Sequence, residues 1–78
     1  MSVAPVQEMS NARQTLKVAK AARADVLAQD KYLKAKDFLD QAANKLNSGD
    51  FTKARQLAVQ ATHEAKQAHL DALNHQKK

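Results

Sequence analysis

One glycine, Gly49, constrains this chain more than any other residue. It stands in Leu46-Asn47-Ser48-Gly49-Asp50-Phe51-Thr52-Lys53-Ala54, between two alanine-rich segments whose apolar residues recur at steps of three and four. A glycine there can take the left-handed conformation that ends one helix, and the Asp50 side chain can accept from the first free N–H groups of the next. The segment therefore predicts the turn of a helical hairpin, with positive φ at Gly49.

Three helices account for the chain. Pro5 suits a first helical position, where its missing N–H would have no partner anyway. From there Val6, Met9, Ala12, Leu16 and Ala19 form one stripe, which Arg23 and Val26 continue, while Ala21 falls outside it. The expected bounds are 5–27 for helix one, with Asp30 capping the break that follows, 30–47 for helix two and 51–74 for helix three. Helix two carries Tyr32, Ala35, Leu39, Ala42 and Leu46, flanked by Phe38 and Ala43. Helix three carries Phe51, Ala54, Ala58, Ala61, Ala65, Ala68 and Ala72, with Leu57 on its flank and Leu70 and Leu73 near its end. β-branched residues are scarce and no alternating apolar run exists, so no strand is expected. The predicted fold is all-α: a three-helix antiparallel bundle in a single domain, 1–78.

At 78 residues the chain buries only roughly 60% of the surface its unfolded form exposes. Alanines fill most positions between the few large apolar side chains. A buried alanine contributes little at about 25 cal/mol per Å², but it permits close helix approach and has the best helix propensity of any residue. Stability of ~3 to 5 kcal/mol is expected, as for other small cores without staples. Close contact between helices two and three is expected at Ala58 and Ala61.

The charge of +5, from 13 basic and 8 acidic residues, raises the question of a nucleic-acid partner. The cations are dispersed and mostly interleaved with acids in the middle third, and Lys77 and Lys78 fall in a tail beyond helix three. The densest row is Arg13, Lys17 and Lys20, with Arg23 or Ala24 continuing it. Such rows are usual on solvated helix faces. With only Tyr32, Phe38 and Phe51 aromatic, there is no stacking platform for single strands.

The residue types offer no catalytic constellation. Cysteine is absent, which removes disulfides, thiolate metal sites and thiol nucleophiles together. His63, His69 and His75 are spaced by six, about 240° per step on a helix, so they point to different sides. A helical metal pair needs spacings of three or four. Asp37 and Asp40 lie off the apolar stripe and read as partners of Lys34, Lys36 or nearby lysines. Ser10, Thr15, Ser48, Thr52 and Thr62 lack a histidine-acid context. No catalytic, cofactor, metal or partner-binding residue is assigned, and no enzyme is expected. No apolar run approaches the ~20 residues that span a bilayer.

The segment Leu46-x-x-Gly49-x-Phe51-x-x-Ala54-x-x-x-Ala58-x-x-Ala61 is similar to the inter-helix turn of a tetratricopeptide repeat. One such hairpin is visible, and a stacking array needs at least three. The longer pattern Ala28-x-x-x-Tyr32-x-x-Ala35-x-x-x-Leu39-x-x-Ala42, followed by Gly49-Asp50-Phe51-x-x-Ala54-x-x-Leu57-Ala58-x-x-Ala61-x-x-x-Ala65-x-x-Ala68, resembles domain-of-unknown-function family 4398. Members are alanine-rich helical domains of bacterial envelope proteins, some of them lipoproteins and some preceding a peptidoglycan-binding domain. The family often has proline where this chain has Gln29, and no cysteine for lipidation precedes Ser2.

The resemblance implies a non-catalytic scaffold or protein-interaction module in the periplasm, the mature part of a lipoprotein held at the outer membrane. Its expected partner is another envelope protein or a peptidoglycan-associated protein, with no cofactor and no small-molecule substrate. The alternative is a small basic helical domain that binds nucleic acid or anionic surfaces.

Overall fold

The computed structural model describes residues 3–76, so Lys77 and Lys78 lie outside the described residues. The described chain is all-α, 88% helical, with no strand and with three main helices packed together. In chain order they are α1 (Val6–Ala21), a single turn α2 (Ala24–Leu27), α3 (Gln29–Asn47) and α4 (Phe51–Gln76). The molecule is a rod with extents of 50 × 17 × 14 Å.

Cross-helix polar contacts fix the helix directions. Arg55 Nε donates to Glu8 Oε2 at 3.2 Å near the starts of α4 and α1. At the other end the Gln76 side-chain amide donates to the Ala22 carbonyl. The two helices are therefore parallel. Lys31 pairs with Asp71 and Lys34 with Glu64, so α3 runs the opposite way. The long helix α4 is the spine, with α1 and α3 packed along it.

The core runs in three patches along the rod. Near the Gly49 end Met9, Ala42, Leu57 and Ala58 meet, covered by Phe38 and Leu39. Leu16, Ala35 and Ala65 fill the middle under Tyr32. At the far end Ala19, Ala24, Ala68 and Ala72 pack beneath Leu27 and Ala28. Apart from Pro5, Met9, Leu16 and Leu57, every buried apolar side chain among the described residues is alanine, and Ala58 and Ala61 are fully buried. Small side chains bring the axes close, so close fit substitutes for large transfer energies.

The turn after α3 takes the form expected from Gly49. Its φ is +85°, its N–H donates to the Leu46 carbonyl at 3.1 Å, and the Asp50 N–H donates to the Lys45 carbonyl at 2.9 Å. These two bonds make a Schellman motif. The Asp50 side chain then accepts from the Lys53 N–H at 3.1 Å, capping the next helix.

Helix one does not run from 5 to 27. It ends at Ala21, and Arg23 adopts φ 66°, the left-handed region. The Ala22 and Arg23 N–H groups turn back to the Ala19 and Lys20 carbonyls, tightening the end in the manner of a 3₁₀ turn. A straight continuation would keep Arg23 and Val26 on the stripe. The break re-registers the chain instead: Ala24 is fully buried, whereas Val26 is exposed. A β-carbon in this conformation costs ~1 to 2 kcal/mol, and the joint it makes packs Ala24 against Ala19, Ala68 and Ala72 under Leu27 and Ala28.

Smaller differences have the same local character. Asp30 sits in the first turn of α3 rather than capping it, and Ala28 is the cap, with no side-chain bond. Pro5 is the cap of α1 rather than its first helical residue, and Val6 is exposed rather than in the stripe. Helix α4 continues two residues past the expected end at Asn74.

Candidate functional site

The residue types examined for chemistry remain apart in space. His63 and His75 are exposed and His69 is half-buried, and no group of three or more His, Asp or Glu among the described residues could hold a metal ion. Three of the hydroxyls bond back to carbonyls of their own helices. Thr15 donates to the Asn11 carbonyl, Thr62 to the Ala58 carbonyl and Ser48 to the Lys45 carbonyl. Such local bonds occupy the hydroxyl proton that a nucleophile would have to give up.

Asp37 and Asp40 do not pair with lysines as expected. Asp37 accepts from Gln41 Nε2 at 2.7 Å, because that amide stands one turn ahead on the same face. Asp40 has no ion pair among the described residues, and Lys34 reaches across to Glu64 at 3.9 Å instead.

Two outward surfaces remain as candidate contact faces. The first is the basic row of α1. Arg13, Lys17 and Lys20 are exposed, and none belongs to an ion pair among the described residues. Glu8, Asn11 and Thr15 mark the flank of α1 that turns toward α4. At 100° per residue the basic row falls on the other flank.

The second is on α4, where Val59, His63, Lys66, Leu70 and Leu73 recur at steps of four and three and are all exposed. Val59 and His63 line both the groove between α1 and α4 and the groove between α3 and α4, so they form the ridge that separates the two. Leu70 and Leu73, near the end of the helix, belong to this outward line and not to the buried stripe. The line was hidden in the sequence because the alanine stripe on the opposite side has the same three-four spacing. Side-chain size separates the two in part: Val59, Leu70 and Leu73 lie outside, and the buried side of α4 is alanine apart from Leu57.

The chain matches no family model, no curated protein and no solved structure. Among the described residues, no helix is long and apolar enough to cross a membrane.

Proposed function

We propose that this chain is a non-catalytic helical scaffold or protein-interaction module of the bacterial cell envelope, the mature part of a periplasmic lipoprotein. In this reading the fold is a three-helix antiparallel bundle whose α3–α4 hairpin is similar to that of a tetratricopeptide repeat. The partner is another envelope protein or a peptidoglycan-associated one.

The observation that carries the binding role is the inversion of side-chain size. Val59 and Leu70 are more than half exposed on the longest helix, while its buried side is alanine apart from Leu57. Exposed aliphatics aligned on one face mark a contact surface. The envelope setting rests on the family resemblance of Ala28 to Ala68. Fractionation tests it: the native protein is expected with the envelope, and recovery in the cytoplasm contradicts the compartment.

A second reading is favoured by the basic row alone. Arg13, Lys17 and Lys20 stand free of acids on an exposed flank, which suits nucleic acid or an anionic surface. Binding through such a row falls steeply with salt through counterion release, whereas a packed protein interface changes little. Titration with labelled duplex and single strand across a salt series separates the two.

A further inference from the structure

We propose that the face formed by α1 and α3 lies on an anionic lipid surface, with Arg13, Lys17, Lys20 and Lys36 toward the headgroups and Val6 and Leu33 entering the boundary between headgroups and acyl chains. The inference rests on the anionic-surface reading above, which it narrows to lipid, and it leaves the outward line of α4 open to a protein.

The bundle has three seams, and charge is distributed unequally among them. All three ion pairs hold α4: Arg55 to Glu8 of α1, and Asp71 and Glu64 to Lys31 and Lys34 of α3. None joins α1 to α3 among the described residues. Glu8, Asn11 and Thr15 mark the flank of α1 that turns to α4, as Lys31, Lys34 and Phe38 mark that of α3. At 100° per residue, Arg13, Lys17 and Lys20 fall on the far flank of α1, and Leu33 and Lys36 on the far flank of α3. The two helices meet beneath through Leu16, Tyr32 and Leu39, so the two flanks make one face on the side away from α4. Four exposed cations stand there with one exposed acid, Asp40, while Asp30 and Asp37 lie at the outer edge. The other unpaired lysines of the helices lie off this face: Lys45 and Lys53 flank the seam of α3 and α4, and Lys66 lines the groove between α1 and α4.

Lipid and nucleic acid both present phosphate, and the aliphatic side chains decide between them. Val6 and Leu33 are more than half exposed on the same face as the cations. A phosphate backbone offers them no apolar contact, whereas the headgroup boundary of a bilayer does. Two helices side by side along a rod 50 Å long also present a flat surface to a flat partner.

The probes are vesicles of phosphatidylcholine alone and of phosphatidylcholine with about 30% phosphatidylglycerol, whose negative surface potential attracts cations within a Debye length. Co-sedimentation is expected to show binding to the second kind only, falling as salt rises. Arg13→Gln with Lys17→Gln should weaken it about twentyfold, at about fivefold for each cation near such a surface. Lys53→Gln with Lys66→Gln removes the same charge from α4 and should leave binding almost unchanged. Leu33→Ser should weaken it several-fold, and Asp40→Lys should tighten it. All these positions are exposed, and circular dichroism checks that the variants stay folded.

No binding to the phosphatidylglycerol vesicles, equal binding to the neutral ones, equal losses from the α1 and α4 pairs, or indifference to Leu33→Ser overturns the proposal. Titration with labelled duplex DNA then separates this failure from that of the reading beneath it. Duplex bound through Arg13 and Lys17 keeps an anionic partner and removes the lipid; binding to neither removes both.

Discussion

The backbone N–H of Asp50 donates to the carbonyl of Lys45 at 2.9 Å, closing the end of α3 over Gly49. That bond needs the left-handed backbone that Gly49 supplies. No heavy atom lies within 4 Å of the position a β-carbon would take there. The penalty for a side chain is therefore conformational and not steric crowding by neighbours. Gly49→Ala is expected to lower stability by about 1 kcal/mol, read from denaturant unfolding, and a neutral or stabilising result would contradict the turn.

Arg23 makes the same backbone excursion without being glycine. Arg23→Gly relieves the β-carbon penalty but adds unfolded-state entropy, and the balance should raise stability by up to about 1 kcal/mol. A β-branched residue shifts the balance the other way, so Arg23→Val should destabilise. Thermal unfolding of the pair checks this. If Arg23→Gly instead loses about 1 kcal/mol, as glycine does inside a helix, α1 continues through position 23.

Ala58 and Ala61 are fully buried where α4 meets its neighbours. Ala58→Leu should overpack the contact and lose 1 to 3 kcal/mol, a typical range for added core volume. Ala21→Leu, at an exposed position, is the control and should leave the midpoint almost unmoved. Equal midpoints for the two variants would contradict close alanine packing.

Lys31 and Asp71 approach to 2.6 Å, yet both side chains remain more than a third exposed. Solvent screens such a pair, so a double-mutant cycle through Lys31→Ala and Asp71→Ala should give a coupling of ~0.2 to 1 kcal/mol that shrinks with salt. A coupling several times larger would mean that the pair, and not the apolar contact around Ala68 and Ala72, holds the start of α3 to α4.

The hairpin was legible because its determinants are local. Gly49 and Asp50 carry the turn in their own backbone and side-chain chemistry, and the alanine spacing marks the buried stripe. The joint at Arg23 was not legible, since arginine has no preference for the left-handed region and the stripe continues through it without interruption. What fixes that joint is the distant burial of Ala24 against Ala68 and Ala72. The same limit applied to Leu70 and Leu73. On a helix carrying two three-four patterns, periodicity does not say which one faces the core, and only the positions of α1 and α3 decide it.

The row Arg13, Lys17 and Lys20 supplies the sharpest contrast to a protein-binding role. Titration of labelled duplex and single-stranded nucleic acid at about 150 mM salt is expected to show only non-specific attraction, of order 10⁻⁴ M or weaker. Sub-micromolar binding lost on neutralising these three residues would support the polyanion reading instead.

The central claim, that the chain works by protein contact, is tested most directly by photo-crosslinking in intact envelopes with the probe at Leu70 and control probes at Gln14 and Asp40. The account predicts a discrete adduct at Leu70 containing an outer-membrane or peptidoglycan-linked protein. No protein adduct at any of the three positions would contradict it.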